Sequence, residues 1–308
     1  MSQRELVVLG TASQAPTRHR NHNGVFLRWD DQGWMFDPGE GTQRQMARFG
    51  VRASSIHHLA ITHFHGDHCL GVPGVVQRLC MDRVPHPVQA WYPGSGQTFW
   101  ERLRHASIFD DVVDIRPNPL TDDPVHRDLG ALTLTARRLD HRCETYGYRL
   151  QEPDGVRLLP DALQAAGLRG AAVGELVKTG QVQSPSGQRV QLAQVSEPRP
   201  GQSIAFVMDT RVCAAAVELA RDADLLVIES TFLHSEAKLA DEYGHLTARQ
   251  AAEVAKEAGV RRLVLTHFSQ RYPDNQVFQD EAAAVFDDVV AAVDGLRISV
   301  PARRVMGD

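Results

Sequence analysis

The sequence of 308 residues is poor in cysteine and has no long hydrophobic segment. Its four cysteines are scattered, without a CxxC pair or the density of a disulfide framework. This usage favours a reducing cytoplasm, with the cysteines acting as small buried residues and not as metal ligands. No stretch approaches the ~18 apolar residues that span a membrane. The N-terminus also lacks the apolar region of a signal peptide. We therefore expect a cytoplasmic protein without a membrane segment.

Two further absences restrict the possible functions. Lys and Arg together number 33 against 38 Asp and Glu, a formal net charge of −5, so there is no overall basic charge to indicate a nucleic-acid binder. This balance does not exclude one, because local patches and bound cations set the field that a ligand meets. The Gly-rich turn at residues 38–42 is not followed by Gly-Lys-Ser/Thr and is therefore not a P-loop.

The most informative segment is THFHGDH, residues 62–68, which has three histidines and an aspartate within six residues. An apolar, strand-like run precedes it. Alternate residues of a strand share a face, so a strand end would hold His63 and His65 on one side. A helix that begins after the loop would project Asp67 and His68 from its first turn. Imidazole and carboxylate groups are ligands that Zn²⁺ prefers. The pattern therefore predicts two pairs of ligands for two neighbouring metal ions, in preference to a His-rich surface loop.

Further ligands are expected where other buried strands end. His141, Asp209 and His267 each follow an apolar, strand-like run. Taken singly, each would be interpreted as a hydrogen-bonded core histidine or a turn aspartate, and only their joint occurrence indicates a metal centre. Asp209 can bridge two ions because a carboxylate has two oxygens. The predicted ligands are His63, His65, His141 and Asp209 for one ion, and Asp67, His68, His267 and Asp209 for the other.

The order of the predicted elements indicates the fold class. Strand-like segments outnumber helical ones, and a strand followed by a ligand recurs in both halves of the chain. We therefore predict an α/β fold, a two-sheet sandwich with helices on both outer faces (αββα). Helices are predicted over residues 248–258 and roughly 280–293. Residues from about 152 to 200 are rich in Gly, Ala, Pro and Gln, and we interpret them as an excursion from the main body.

These motifs resemble the metallo-β-lactamase superfamily, whose HxHxDH loop and later His, Asp and His ligands match the residues above. Within it, the chain is similar over nearly its whole length to the ribonuclease Z family of tRNA 3′-processing endonucleases. The segments that carry this resemblance include FDPGEGTQ (36–43), YGY (146–148), DT (209–210), HLT (245–247) and LTHFSQRY (265–272). The resemblance implies one metallo-β-lactamase-like catalytic domain over residues 1–308. The excursion would be an inserted flexible arm that grips tRNA, although its residues 167–174 lack the prolines of the family's arm motif.

The resemblance also implies an activity. The expected enzyme is a zinc-dependent endoribonuclease, with two Zn²⁺ ions per subunit, that removes 3′ trailers from tRNA precursors and leaves a tRNA 3′-hydroxyl. The expected reaction is two-metal phosphodiester hydrolysis. Asp67 would accept the proton of the nucleophile, and His245, held by Glu229, would donate a proton to the leaving oxygen or stabilise the phosphate. A homodimer is expected, in which the arm of one subunit serves the active site of the other.

Three alternatives are considered from the sequence. A β-lactamase or thioesterase is disfavoured, because the Asp209-Thr210 and His245 features suit phosphate. A metallo-β-lactamase-fold phosphodiesterase acting on small or cyclic nucleotides would share the metal ligands but lack the arm and the His-x-Thr turn. Activity on small phosphodiesters without cleavage of tRNA would favour this alternative. A non-catalytic RNA-binding relative would have lost its metal centre, and the complete set of ligands argues against it.

Overall fold

A computed structural model of the protein describes residues 3–302. The predicted outer limits of the catalytic domain, Met1 and Asp308, lie outside these residues. Among the described helices, none combines the length and the apolar character that crossing a bilayer requires. The chain forms two compact units. The body consists of the described residues up to 150 and residues 203–301, and the arm contains residues 151–202. A role of the arm in binding substrate remains a prediction.

The described residues form eighteen strands and ten α-helices. The strands are β1 (Arg4–Gly10), β2 (Gly24–Trp29), β3 (Gln32–Phe36), β4 (His58–Ala60), β5 (Val88–Pro93), β6 (Ile115–Leu120), β7 (Val125–Asp128), β8 (Thr133–Arg138), β9 (Tyr146–Gln151), β10 (Gly155–Leu158), β11 (Gln181–Gln183), β12 (Arg189–Gln191), β13 (Ser196–Arg199), β14 (Ser203–Val207), β15 (Leu225–Glu229), β16 (Leu263–Thr266), β17 (Val289–Ala291) and β18 (Arg297–Ser299). The α-helices are α1 (Thr42–Phe49), α2 (Gly66–Cys69), α3 (Val72–Met81), α4 (Gln97–Arg104), α5 (Pro160–Ala165), α6 (Ala171–Thr179), α7 (Ala214–Ala220), α8 (Ala237–Tyr243), α9 (Ala248–Glu257) and α10 (Gln276–Ala283).

The body is built from two seven-stranded sheets. Their strand orders are β18-β1-β2-β3-β4-β5-β6 and β17-β16-β15-β14-β9-β8-β7. Side chains from both sheets meet in one buried cluster, where the Phe36 ring lies 4.6 Å from Phe206 and 6.1 Å from Tyr148 between centroids. The other faces carry helices, with Leu79 of α3 and Val254 of α9 buried in two further clusters. The predicted αββα architecture is confirmed.

The parallel strands of each sheet determine where the functional side chains lie. β3, β4, β5 and β6 pair in parallel in the first sheet, and β14, β15, β16 and β17 pair in parallel in the second. The carboxyl ends of parallel neighbours lie at one edge, which is where ligands bind in open α/β sheets. Tyr148 connects the two sheets at this point, because its hydroxyl donates to the Ile61 carbonyl at 2.6 Å, two residues before His63.

The C-terminal region differs from the prediction of a helix over residues 280–293. The helix α10 begins earlier and ends at Ala283, and β17 then pairs in parallel with β16. Phe278 and Ala282 lie four residues apart and are fully buried, which fixes the earlier helix on the body. The β-branched pair Val289–Val290 suits a strand and extends the sheet. The predicted helix over residues 248–258 is α9.

The arm has a small core of its own. Two antiparallel ladders, β10 with β13 and β11 with β12, accompany the helices α5 and α6. Leu168 and Leu176 are buried in a cluster with Val190 and Val195. The arm begins and ends with adjacent backbone, since the Glu152 amide donates to the Gln202 carbonyl at 2.9 Å. The arm is therefore a folded insertion whose first and last residues lie side by side.

Candidate metal centre

The HxHxDH segment begins in the loop after β4 and continues into α2. His63 is fully buried, and His65 occupies the N-cap position of α2. Asp67 and His68 lie in the first turn of that helix, as the spacing predicted, and both are buried. A strand end followed directly by a short helix thus brings four polar side chains close together.

Three further polar residues end strands in a left-handed backbone conformation. Asp37 follows β3 with φ +43°, Asp209 follows β14 with φ +47°, and His267 follows β16 with φ +64°. Positive φ is uncommon for residues other than glycine, and such strain clusters at functional sites. In each case the sharp change of backbone direction comes directly after the end of a buried strand. The fold therefore accepts local strain at three strand ends that meet at the site.

One group of ligand atoms contains His63, His65, His141 and Asp209. His63 Nε2 lies 2.9 Å from His65 Nδ1 and 3.4 Å from Asp209 Oδ2. His141 Nε2 lies 3.4 Å from His65 Nδ1 and 3.7 Å from Asp209 Oδ2. These four residues are the ligands predicted for the first ion. The structure brings them together, and their coordination of an ion remains a prediction.

A second group adjoins the first through Asp209. Asp67 Oδ2 lies 3.3 Å from His267 Nε2 and 3.4 Å from His68 Nε2. Asp209 Oδ1 lies 3.3 Å and 3.4 Å from the same two nitrogens. The two oxygens of Asp209 thus face the two groups separately. This arrangement suits the bridging role predicted for this carboxylate.

Hydrogen bonds on the outer side orient His63 and His68. His68 Nδ1 donates to Asp37 Oδ2 at 2.8 Å. His63 Nδ1 lies 3.1 Å from Thr62 Oγ1, and the Thr62 hydroxyl itself donates to Asp37 Oδ2 at 2.8 Å. Because the Thr62 proton is committed to Asp37, its oxygen accepts from His63. In both neutral rings, Nε2 is therefore left with a lone pair that faces the centre.

The same arrangement holds for His267 and His141. His267 Nδ1 lies 2.9 Å from Thr231 Oγ1, and the Thr231 hydroxyl donates to Glu229 Oε2 at 2.6 Å. His141 Nδ1 donates to the Gly244 carbonyl at 2.8 Å. Each outer nitrogen is again the donor. In their neutral form, these four histidines therefore direct the lone pairs of Nε2 toward one centre, which is how metal-binding histidines are held.

This donor set fits divalent metal ions. The Nε2 atoms of His68 and His267 lie only 3.0 Å apart, so that either a proton or a bound cation relieves the repulsion between their lone pairs. Asp209 Oδ1 is buried and has no hydrogen-bond partner among the described residues. Nitrogen and carboxylate oxygen ligands suit Zn²⁺ and related transition metals. Both observations are explained by cations that these atoms coordinate together.

The electrostatics of the centre favour positive charge. Burial acts to lower the pKa of His68, but the carboxylates of Asp209 and Asp67 raise it well above its ordinary value. Burial acts to raise the pKa of Asp209, but His267 and His68 lower it well below the usual range. Burial also acts to raise the pKa of Asp67, and His68 again outweighs it, so that this pKa is lowered. The carboxylates therefore stay ionised, as metal coordination requires.

His245 and Glu229 form a separate pair beside the centre. His245 Nδ1 lies 3.0 Å from Glu229 Oε1, and Glu229 is fully buried at the end of β15. Glu229 Oε1 also accepts from the Thr210 amide at 3.0 Å. Burial acts to lower the pKa of His245, but Glu229 and Asp209 raise it to about 9. His245 is therefore protonated at neutral pH and lines the same cavity as the metal-ligand candidates, a space of about 760 Å³.

Sequence reasoning missed the residues that orient the histidines. Asp37, Thr62 and Thr231 are not among the predicted site residues. The prediction that the cysteines are buried is wrong for Cys143, which is exposed with its sulfur 3.9 Å from His65 Nε2, and Cys213 is only partly buried. Cys143 lies in the loop between β8 and β9.

Comparison with known proteins places the chain in a family. A model described as a beta-lactamase superfamily domain matches residues 172–268, and a model of the anti-Pycsar protein Apyc1 matches residues 4–104. A protein of Salinispora arenicola named ribonuclease Z is 58% identical, over 99% of this chain and 99% of its own. The ribonuclease Z of Chlamydia trachomatis is 44% identical, over 95% of this chain and 96% of its own. The chain belongs to the ribonuclease Z family.

Solved structures agree with this membership. The short form of human tRNase Z is 26% identical, with a TM-score of 0.70, and the match covers 97% of this chain and 100% of that one. YhfI of Bacillus subtilis, a metallo-beta-lactamase fold protein, has the same TM-score at 16% identity and therefore shows the fold alone. The predicted family, the metallo-β-lactamase fold and the predicted hydrolase class are confirmed.

The hydrogen bonds of Asp37 predict how this residue affects metal binding. Asp37→Asn keeps the size of the side chain and its tolerance of positive φ, but removes the charge that holds His68. We expect the affinity for Zn²⁺ to fall ~10–100-fold, the usual effect of losing such a partner. Titration against a chromophoric chelator measures this affinity. Asp31→Ala, at an exposed turn between β2 and β3, is the control. Equal affinities in the two variants would contradict the assigned role.

Proposed function

We propose that this endoribonuclease removes 3′ trailers from tRNA precursors in the cytoplasm, as a homodimer with two Zn²⁺ ions per subunit, and leaves a tRNA 3′-hydroxyl. One observation carries the proposal: seven candidate metal ligands lie close together, and five of them line a cavity that His245 also lines. The names of the relatives and of the human tRNase Z support the RNA substrate.

The ligand groups assign the residues that would hold the ions. His63, His65, His141 and Asp209 would hold one ion, and Asp67, His68, His267 and Asp209 the other. When bound, the ions would activate water and neutralise negative charge on the phosphodiester. The outer hydrogen bonds keep the ligand rings in place, so that little reorganisation is needed during the reaction.

Two side chains of the protein would move protons. Asp67 is ionised and lies among the ligands, where it can accept the proton of the attacking water. The leaving 3′-oxygen needs a proton as the bond to phosphorus breaks. His245 is protonated at neutral pH and keeps its Nε2 free of the Glu229 contact, so it can donate that proton or stabilise the phosphate. The buried Glu229 would hold the ring during both steps.

The arm is the proposed tRNA-binding element. Arg169, Lys178 and Arg189 are exposed, and none of them forms a salt bridge with a described carboxylate. Such cations suit the phosphates of RNA, which attract proteins through sequence-independent charge. The separate core of the arm allows it to present these side chains as a unit. We assign the affinity for tRNA to the arm and the hydrolysis to the body.

Cleavage of a tRNA precursor tests the proposed activity directly. The wild-type protein is expected to release the 3′ trailer from an end-labelled precursor, and excess chelator should stop the reaction. Asp67→Ala should abolish cleavage, because it removes both a ligand and the proton acceptor, while tRNA binding stays measurable in a filter assay. Retained turnover in this variant would rule out the role of Asp67.

Loss of the proposed proton donor should affect turnover more than metal binding. His245→Asn is expected to lower kcat by ~10²–10⁴-fold, the usual contribution of general acid catalysis. Glu229→Gln should give a smaller loss, because the ring remains in place. The metal content of His245→Asn, measured by mass spectrometry, should match the wild type. His126→Ala on the exposed side of β7 is the matched control. A normal kcat in His245→Asn would refute the assignment.

Removal of the arm should separate binding from hydrolysis. Because residues 152 and 202 are hydrogen-bonded neighbours, a short Gly-Ser link can replace residues 153–201. We expect the shortened protein to bind Zn²⁺ and hydrolyse bis(p-nitrophenyl) phosphate, but to lose most of its affinity for tRNA precursors. Fluorescence anisotropy of labelled precursor gives this affinity. Unchanged binding would show that the arm is not the tRNA-binding element.

A further inference from the structure

Tyr243 and Arg142 form an exposed pair at the edge of the cavity that contains the candidate ligands. Tyr243 is the last residue of α8 and is 42% exposed. Arg142 Cζ lies 5.8 Å from the centroid of the Tyr243 ring. Both residues belong to the body. An aromatic ring flanked by a guanidinium group is thus presented toward the place where substrate would enter.

The backbone holds this pair at a fixed place relative to the centre. Tyr243 precedes Gly244, whose carbonyl accepts from His141 Nδ1, and Arg142 follows His141 directly. Gly244 has φ +78°, and a Cβ atom there would lie 2.9 Å from His141 Nδ1. A side chain at this position is therefore excluded. The hydrogen bond from His141 to the Gly244 carbonyl therefore joins the residue before Arg142 to the residue after Tyr243.

Arg211 makes a second connection between the segment that contains His141 and the segment that contains Tyr243. The Arg211 amide donates to the Asp140 carbonyl at 2.8 Å, and Arg211 Nε donates to the Asp241 carbonyl at 2.8 Å. Arg211 Nη1 also pairs with the Asp140 carboxylate at 3.1 Å. These contacts hold the segments before His141 and before Tyr243 together. The backbone that carries the Tyr243 ring is therefore held in place on both sides.

Neither side chain makes a polar contact through its guanidinium or hydroxyl group within the described part of the protein. Arg142 has no ion pair or hydrogen bond there, and the Tyr243 hydroxyl has no hydrogen-bond partner there. A solvated tyrosine is the ordinary explanation for such exposure. Here, however, the exposed ring lines a cavity that also contains His245, His141 and Asp209. A flat ring with an unpaired cation beside it suits a nucleobase and its phosphate.

We propose that Tyr243 stacks on an unpaired nucleobase adjacent to the scissile phosphate, and that Arg142 contacts the neighbouring backbone phosphate. This inference rests on the proposed function and adds a nucleotide subsite to it. Stacking accepts any base, because every base has a π-face, so the subsite would recognise a single-stranded nucleotide and not a particular sequence. It would hold the strand in place at the point of cleavage.

Steady-state kinetics with an end-labelled tRNA precursor test the subsite. Tyr243→Ala is expected to raise KM ~10-fold, within the range for loss of one base–aromatic stack. Tyr243→Phe keeps the ring and should stay close to the wild-type KM, whereas Tyr243→Leu keeps only apolar bulk and should resemble Tyr243→Ala. Arg142→Ala should raise KM and reduce its dependence on salt, because one phosphate contact is lost. The Zn²⁺ content of each variant is measured in parallel.

Precursors with an abasic nucleotide on either side of the cleaved bond identify the stacked base. For the wild type, one abasic precursor should show the same rise in KM that Tyr243→Ala shows with the intact precursor. Combining the variant with that precursor should give no further rise, since both changes remove one contact. If the effects of Tyr243→Ala and of the abasic nucleotide on KM multiply for both precursors, the subsite alone is overturned. An unchanged KM in Tyr243→Ala would also overturn the subsite alone. A wild-type protein that cuts no precursor would overturn the proposed function and the subsite together.

Discussion

The carboxylate of Asp37 is the contact on which the geometry of the metal centre depends. It accepts hydrogen bonds from His68 Nδ1, the Thr62 hydroxyl and the Thr62 amide, the last at 2.7 Å. Through Thr62 it also determines which nitrogen of His63 carries the proton. One buried group at the end of β3 thus orients ligands from the loop after β4 and from α2. The positive φ of Asp37 is the local cost of directing its carboxylate inward.

The second sheet repeats this arrangement with different residues. Glu229, at the end of β15, accepts from the Thr231 hydroxyl, which in turn orients His267. The other oxygen of Glu229 holds His245. One buried carboxylate in each sheet therefore orients two histidines, one directly and the other through a threonine. Asp209 lies between the two arrangements and contributes one oxygen to each group of ligands. The αββα sandwich serves the chemistry by bringing these two strand ends together.

The sequence predicts the candidate metal ligands better than it predicts the residues that orient them. HxHxDH is a local pattern, and His141, Asp209 and His267 each follow a recognisable apolar strand, so periodicity and spacing suffice to find them. The roles of Asp37 and Thr231 depend on contacts between segments far apart in the chain, which spacing does not reveal. The helix predicted over residues 280–293 agrees with the helix preference of the alanines in this segment. Pairing of β17 with β16 outweighs that local preference. Cys143 is exposed in the loop between β8 and β9, a placement that composition cannot predict.

The hydrogen bond between His141 and Gly244 connects the chemistry of the centre with recognition at its edge. The Gly244 carbonyl fixes the tautomer of a candidate metal ligand, and the same peptide adjoins Tyr243 on one side and His245 on the other. A shift of this short segment would move the candidate proton donor, a ligand contact and the exposed ring together. Glycine is required there because both the positive φ and the nearby imidazole exclude a side chain. If these roles hold, catalysis and the positioning of the RNA strand would be coupled through one turn between α8 and α9.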